Sequence, residues 1–189
     1  MPSVFPELLA RIAAALDKHS LPYMLIGGQA VLVYGEPRLT RDIDITLGAG
    51  PERLADIVRA AEGAGLRPLV DPGEFARQTF VVPCADDASG IRVDLILSFS
   101  PYEQQALARA RAVDIGPARV RVASPEDVIV HKMVAGRPRD LEDVASIVAK
   151  VAILDGDYIT RWLREFESVV SRPLVEPFLR IFHSDRPRQ

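Results

Sequence analysis

The strongest constraint on the fold is a short apolar run, Tyr23–Ile26, that stops at Gly27 and Gly28. This pattern is typical of a buried strand that enters a tight turn, because glycine ends the apolar run and permits the turn. Farther along, acidic and apolar residues alternate, which puts Asp42 and Asp44 on one face of a second strand and apolar residues on the other. The two segments together predict a fold that contains a sheet.

Helical and strand patterns follow one another along the rest of the chain. The order helix, strand, helix, strand, helix is predicted up to residue 64, and a helix is predicted over residues 101–111. Further strands are predicted at residues 66–70, 78–82, 91–98, 112–115 and 119–122. Ser124 is a good helix N-cap, and about four helices are expected after it. We therefore predict an α+β fold with a mixed-sheet core over residues 1–123 and a helical region over residues 124–189.

Composition narrows the function classes. The chain has 189 residues, of which 48% are apolar and 26% charged, as is usual for a globular protein. A net charge of −3 gives no overall positive field of the kind that nucleic-acid coating proteins carry. The single cysteine excludes an internal disulfide framework and is too little for a cysteine-based zinc site. Because neither a membrane-spanning run nor a signal peptide is evident, we expect a cytoplasmic protein without membrane contact.

Three aspartates in apolar strands are the candidate catalytic residues. Asp42 and Asp44 share a strand face, and two carboxylates so close repel each other unless a cation lies between them. Asp94 lies in the middle of a third apolar strand, where an ionised group is costly unless it is paired or binds a metal. Carboxylates together with substrate phosphates are the ligands that Mg²⁺ prefers, so we predict that the three aspartates bind Mg²⁺ or Mn²⁺.

Other interpretations of these acids stay open at this point. Asp42 and Asp44 would be unremarkable on an exposed edge strand, where water solvates them. Asp94 would be structural if it formed an ion pair with Arg92 or Arg77.

The glycine pair, the Asp-x-Asp strand and the later strand aspartate resemble, in this order, the nucleotidyltransferase superfamily of the DNA polymerase β type. The segment Arg38–Asp44 is similar to the version in the AbiEii-type group, which contains toxins of type IV toxin–antitoxin systems and uncharacterised relatives. His131–Asp143 is similar to the helical motif of that group, a lysine followed by Arg-Asp and a second aspartate three residues later. One departure is Gly28, since the superfamily often has serine there, so phosphate binding would rely on backbone groups.

The resemblance implies a metal-dependent enzyme that moves a nucleoside monophosphate from a nucleoside triphosphate (NTP) to a hydroxyl and releases pyrophosphate. Asp94 would then act as the general base or orient the acceptor hydroxyl. The acceptors of such families include RNA or tRNA ends, proteins and small hydroxylated molecules, and a toxin would have an antitoxin protein as its partner. The alternative function is a catalytically inactive module that binds nucleotide or a partner protein on the same fold.

The resemblance also implies a nucleotide-binding set, in which Lys132 faces the triphosphate. Asp140 and Asp143 share a helical face, so both can reach the same neighbour, either Lys132 or Arg139. An ordinary solvated lysine and two acids at a helix start are the alternatives for this motif. If the segment before Asp42 is extended, Arg38 and Thr40 share the face of Asp42 and could reach phosphate. The predicted nucleotide-binding residues are Gly27, Gly28, Arg38, Thr40, Lys132, Asp140 and Asp143.

Overall fold

The protein forms two units in a computed structural model that describes residues 4–98 and 100–184. The first unit contains the described residues up to Gln29 together with Thr40–Ala123. The second unit contains Ala30–Leu39 together with the described residues from Ser124 onward. The predicted boundary after residue 123 places Ala30–Leu39 in the sheet-containing part. In the structure this segment belongs to the second unit.

Seven strands of the described part of the chain form one mixed sheet in the first unit. They are β1 (Tyr23–Ile26), β2 (Asp42–Leu47), β3 (Leu66–Pro68), β4 (Val81–Asp86), β5 (Arg92–Leu97), β6 (Arg111–Ile115) and β7 (Ala118–Val122). Their order across the sheet is β3-β4-β5-β2-β1-β7-β6. The pairs β2–β5 and β1–β7 are parallel, and the other neighbours are antiparallel. With the helices, this sheet confirms the predicted α+β class.

The helices follow the apolar periodicity of the sequence. Those that begin in the first unit are α1 (Val4–Lys18), α2 (Gly27–Tyr34), α3 (Leu54–Gly63), α4 (Pro72–Thr79) and α5 (Pro101–Arg109), with a 3-10 turn at Pro51–Arg53. Those of the second unit are α6 (Pro125–Ala135), α7 (Pro138–Lys150), α8 (Gly156–Val170) and α9 (Val175–Ser184). None of the helices in the described residues has the length and apolar character that crossing a membrane requires.

The two faces of the sheet differ in character. Ile43, Ile45, Val93 and Leu95 point to one face and are fully or almost fully buried. Helix α1 packs on β7 and α3 packs on β3, and the two helices also contact each other. Burial of this apolar layer stabilises the first unit, since each such side chain contributes about 1.5–3 kcal/mol. The opposite face carries the aspartates.

The predicted strand at residues 78–82 was partly wrong. Helix α4 extends to Thr79, and β4 begins at Val81 and continues to Asp86. The side chain of Asp71 caps α4 by accepting a hydrogen bond from the backbone N–H of Glu74 at 2.9 Å. The helix ends at Phe80, which adopts a left-handed conformation with φ of 57°. The apolar pair Val81 and Val82 indicates a strand, and the predicted strand was extended from this pair back to residue 78, which belongs to the last turn of the helix.

In the second unit, α6 is the central helix. Most of its residues are buried, and it packs against both α7 and α8. Its N-terminus is capped as predicted, because the hydroxyl of Ser124 accepts a hydrogen bond from the backbone N–H of Asp127 at 3.2 Å. A helix that is buried on most sides places its few polar residues inside the unit, and Lys132 is one of them.

Candidate active site

Three carboxylates lie together on one face of β2 and β5. The two strands are parallel and in register, so Asp44 lies directly beside Asp94, at a strand spacing of about 4.8 Å. Asp42 is two residues before Asp44 and therefore points to the same face. Asp42 is exposed, whereas Asp44 and Asp94 are half-buried. Because β2 lies between β5 and β1, the interpretation of an exposed edge strand is excluded.

The glycine turn lies against Asp44. Strand β1 pairs with β2 so that Ile26 is opposite Asp44, and α2 begins at the next residue, Gly27. Gly27 has a φ of +65°, and a Cβ at this position would lie 2.0 Å from Oδ2 of Asp44. Only glycine satisfies both conditions. The first backbone N–H groups of α2 are thus next to the acids, and a helix N-terminus favours an anionic ligand.

Arg92 is the fourth charged residue of this face. It pairs across the strands with Asp42, and its Nε donates to Oδ1 and Oδ2 of Asp94 at 3.0 and 3.1 Å. The hydrogen bond to Asp94 and its negative charge, followed by the charges of Asp42 and Asp44, raise the pKa of Arg92 above its ordinary value. The ion pair that the sequence offered as an alternative for Asp94 is therefore present.

The acid face has the donor chemistry of a divalent-metal site, but its side chains do not converge. Within residues 4–98 and 100–184, no three His, Cys, Asp or Glu side chains are arranged to hold a metal ion. Carboxylate oxygens are nevertheless the ligands that Mg²⁺ and Mn²⁺ prefer. Asp44 and Asp94 are neighbours on one face, with Asp42 two residues along, so the residues fit such an ion in type and in register. In this arrangement Asp94 is engaged by Arg92.

Thr40 and Arg38 each have a partner in their own unit. In the first unit, Nε2 of Gln29 donates to the hydroxyl of Thr40 at 2.7 Å, and both residues are buried. This bond ties the first turn of α2 to the segment that leads into β2. In the second unit, Nε and Nη2 of Arg38 donate to the two carboxylate oxygens of Asp143 at 2.7 and 2.9 Å. The binding of phosphate by Thr40 and Arg38 stays a prediction.

Lys132 belongs to a buried ion cluster of the second unit. It is 6% exposed, which excludes the interpretation as an ordinary solvated lysine. Its Nζ lies 2.8 Å from Oδ1 of Asp140 and 2.9 Å from Oδ2 of Asp143. The expectation that these two acids reach one neighbour is confirmed, and the neighbour is Lys132. Arg139 instead donates to the carbonyl oxygen of Leu39 at 3.4 Å.

Asp140 accepts hydrogen bonds from Arg137 as well as from Lys132. Its Oδ2 accepts from the backbone N–H of Arg137 at 3.1 Å and from Nε of the same residue at 2.7 Å. Burial opposes the charged form of Asp140, but the hydrogen bonds from Arg137 and Lys132 outweigh it and lower the pKa to about 2. Asp140 thus caps the start of α7 and also neutralises Lys132. The helix-start alternative is correct for Asp140 in part, and a nucleotide-binding role for the cluster stays a prediction.

Three contacts of these sites had not been anticipated from the sequence, and one of them is the pairing of Arg38 with Asp143. The partnership of Gln29 with Thr40 had no signal, because a buried glutamine in a short helix has no characteristic spacing. Arg137 lies three residues before Asp140, and this spacing at a helix start is the signal that could have predicted their contact.

A mixed sheet with a glycine turn beside an Asp-x-Asp strand, and a third aspartate on the adjacent parallel strand, defines a nucleotidyltransferase fold. The model of the family "Nucleotidyl transferase AbiEii toxin, Type IV TA system" matches residues 7–184, so the chain belongs to the AbiEii nucleotidyltransferase family. No curated protein matches the sequence significantly.

Solved structures share the fold at low sequence identity. The antibiotic-resistance factor ANT(2'')-Ia is 18% identical with a TM-score of 0.62, and the match covers 90% of this chain and 95% of that one. A nucleotidyltransferase-like protein from Paracoccidioides brasiliensis is 16% identical with a TM-score of 0.57, over 93% and 92% of the two chains. The lincosamide antibiotic adenylyltransferase LnuA is 15% identical with a TM-score of 0.53, over 75% and 94%.

Proposed function

We propose that this protein transfers a nucleoside monophosphate from an NTP to a hydroxyl group and releases pyrophosphate. The observation that carries the proposal is the register of β2 and β5, which sets Asp44 beside Asp94 with Asp42 on the same face. Membership of the AbiEii nucleotidyltransferase family supports the same reaction. Phosphoryl transfer depends mainly on positioning and on neutralisation of charge, and a cluster of acids next to backbone N–H groups suits this task.

Each residue has a part in this mechanism. Asp42 and Asp44 hold the nucleotide end of the site, next to the turn at Gly27 whose backbone receives phosphate oxygens. Asp94 orients the acceptor hydroxyl and accepts its proton as the hydroxyl oxygen attacks the α-phosphorus. The bond between the α-phosphorus and the bridging oxygen breaks, and pyrophosphate leaves with the electron pair.

We propose Mg²⁺ or Mn²⁺ as the cofactor, held by Asp42, Asp44 and Asp94. When bound, such an ion neutralises phosphate charge and lowers the pKa of an oxygen that it ligates. The number and type of donors support this choice, since divalent cations of this kind take carboxylate and phosphate oxygens together. For the second unit we propose that Lys132, with its partners, contributes to binding of the triphosphate, as the resemblance of its helical motif implies.

The acceptor is proposed as an RNA or tRNA end, a protein or a small hydroxylated molecule. Two neighbours of the same fold concern small molecules, since one structure of ANT(2'')-Ia holds adenylyl-2''-tobramycin and the LnuA structure is lincomycin-bound. We further propose that the protein is the toxin of a type IV toxin–antitoxin system with an antitoxin protein as its partner, on the basis of its family.

The reaction is tested with each of the four α-labelled NTPs, Mg²⁺ or Mn²⁺, and three acceptor pools: total tRNA, cell-lysate protein and a panel of hydroxylated small molecules. We expect label in one pool together with release of pyrophosphate.

Asp44→Asn should reduce the rate by at least about a hundredfold, because it removes one of the proposed metal ligands. Its melting temperature should stay the same or rise, because the substitution removes a repelling charge.

The catalytically inactive module is the competing function, and the same experiment separates the two. Binding of NTP without pyrophosphate release in any pool would favour a nucleotide-binding module. Equal activity of wild type and Asp44→Asn would contradict the assignment of the acids.

A further inference from the structure

An arginine lies inside the acid cluster of the first unit. Arg92 is opposite Asp42 in the β2–β5 register and two residues before Asp94, so all three side chains point to one face. Its Nε lies at 3.0 and 3.1 Å from the two carboxylate oxygens of Asp94. The side chain of Asp94 is 18% exposed and that of Arg92 is 57% exposed. A largely exposed arginine side chain therefore binds a largely buried aspartate side chain.

A comparison on the same sheet face shows what an ordinary arginine does there. Arg67 of β3 is separated from Arg92 by Ala85 of β4, which pairs with both. It contacts Asp87 at 3.4 Å, and both of these side chains are 63% exposed. Exposed pairs of this kind contribute little to stability. Arg92 differs from Arg67 in that its partner is one of the three proposed metal ligands.

The guanidinium and a divalent ion compete for Asp94 in this geometry. Arg92 approaches both carboxylate oxygens, and two cations at hydrogen-bond and ligand distance from the same oxygens repel each other strongly. A metal ion that binds Asp94 therefore weakens the contact of Arg92 with this carboxylate and favours its displacement. The Arg92 side chain is exposed enough to move into solvent when it leaves Asp94.

We propose that Arg92 is an internal counter-cation of the acid cluster, which occupies Asp94 until a divalent ion displaces it and thereby sets the metal affinity of the site. This inference rests on the proposed function, because it takes the three aspartates as metal ligands. The ion pair offsets part of the negative charge of the acid cluster in the metal-free protein, at the expense of affinity for the ion. Arg92 is thus a positioning residue, since it acts through Asp94.

The test measures Mn²⁺ binding to the purified, nucleotide-free protein by the electron paramagnetic resonance signal of free Mn²⁺. We expect Arg92→Gln to lower the dissociation constant by about tenfold, which corresponds to about 1.4 kcal/mol. Arg92→Lys keeps a charge but loses the Nε contact, and its dissociation constant should lie between those of Arg92→Gln and wild type. Arg67→Gln is the matched control, because it removes the same charge from the same sheet face; it should change the constant less than twofold.

Two further measurements make the outcome decisive. In the Asp94→Asn background, Arg92→Gln should no longer increase the affinity for Mn²⁺, because Arg92 and the ion compete for the Asp94 carboxylate. The comparison is between Asp94→Asn alone and the double variant. Circular dichroism melting confirms that each variant is folded, and Arg92→Lys carries the test if Arg92→Gln is not.

Three results would overturn the inference: unchanged or weaker Mn²⁺ binding in Arg92→Gln, an equal gain in Arg67→Gln, or no Mn²⁺ binding in wild type and variant alike. Failure of the proposed function is separate from these results. If Arg92→Gln binds Mn²⁺ more tightly while no acceptor is labelled, the function fails and the counter-cation role stands. If the wild type labels an acceptor while Arg92→Gln binds Mn²⁺ as the wild type does, the proposed function stands and the counter-cation role fails.

Discussion

Gly27 and Asp44 constrain each other through direct contact. The left-handed backbone at Gly27 allows the chain to change from strand β1 to helix α2 within one residue. The absence of a side chain leaves the space that the carboxylate of Asp44 occupies. The turn and the acid therefore form one structural element, and a side chain at residue 27 would displace the carboxylate.

Replacement of Gly27 by alanine tests this coupling. We expect Gly27→Ala to reduce nucleotidyl transfer by about a hundredfold, because a shift of about 1 Å in a catalytic group is enough for such a loss. The left-handed backbone adds a cost of about 1 kcal/mol in thermal unfolding.

Gly63→Ala is the matched control for this substitution. Gly63 lies in α3, has no positive φ, and a Cβ there would meet no atom within 4 Å. It should keep full activity and gain stability, by up to about 1 kcal/mol. Equal rates in the two variants would show that the carboxylate of Asp44 need not stay where the turn places it.

Single residues were predictable from sequence where the strand alternation fixed their direction. Asp42, Asp44 and Asp94 could be placed on one face because successive strand residues point to opposite sides. The partner of Asp94 could be narrowed only to two arginines. The alternation gives the face on which Arg92 lies, but it does not give the rotamer that brings Nε onto the carboxylate.

Helices α6 and α7 are joined by charges rather than by apolar contact alone. Lys132 of α6 pairs with Asp140 and Asp143, which are one turn apart on α7. Charges so well buried have lost much of their hydration, and only their mutual pairing compensates for it. Loss of Lys132 would therefore leave Asp140 with Arg137 and Asp143 with Arg38 as the charged partners described above, with no cation between the two acids.

Replacement of Lys132 by methionine separates the structural role of the lysine from its proposed nucleotide role. Lys132→Met keeps the aliphatic stem and should lower the free energy of unfolding in urea by about 3 kcal/mol, since it removes the buried cation that lies between two carboxylates. If Lys132 also binds triphosphate, nucleotide affinity should fall by about tenfold or more under conditions where the variant is folded. A folded variant with wild-type NTP affinity would restrict Lys132 to the structural role.

Stability should depend on pH through Asp140. The pKa of Asp140 is about 2 in the folded protein, against an ordinary value of 3.8. The ionised carboxylate therefore contributes its full stabilisation at pH values above 3.8. This stabilisation is lost as the pH falls toward the folded-state pKa of about 2. The contribution is about 2 kcal/mol near neutrality, and about half of it should be lost by pH 3.

The check is the difference in unfolding free energy between wild type and Asp140→Asn, measured from pH 7 to pH 3. This difference should shrink by about 1 kcal/mol across the acid range. Asp157→Asn, which changes an exposed acid in the first turn of α8, is measured alongside as the control for the substitution itself. A constant difference for Asp140→Asn would mean that its carboxylate is not stabilised in the folded state.

Most elements could be predicted from sequence because their apolar periods were clear, and α4 shows where this fails. This helix has one buried residue, Ala76, so it offers almost no apolar stripe to recognise. It forms because Asp71 caps it and Pro72 starts it, and these local signals were outweighed by the β-branched residues that follow.

For the whole molecule, the division into units is discontinuous in sequence. Ala30–Leu39 lies between two parts of the first unit along the chain, yet it belongs with the C-terminal helices. Lys150 contacts the carboxylate of Glu36 at 2.9 Å and the carbonyl oxygen of Gly35 at 3.2 Å, and Arg38 binds Asp143. Sequence periodicity describes neighbours along the chain, and it could not reveal a segment whose partners are more than a hundred residues away.

Limited trypsin digestion tests whether these contacts hold Ala30–Leu39 in place. In the wild type, cleavage after Arg38 should be slow, because its side chain is 20% exposed and both carboxylate oxygens of Asp143 bind it. Asp143→Asn removes the charge of that partner and should accelerate cleavage after Arg38 by about tenfold, since cleavage follows the population of the locally opened segment.

Glu142→Gln, which changes the adjacent exposed acid of α7, is the control and should be cleaved after Arg38 at the wild-type rate. Cleavage after Arg77 in α4 serves as the internal reference: if both sites accelerate together in Asp143→Asn, the whole chain has been destabilised, and the local role of the Arg38–Asp143 contact is refuted.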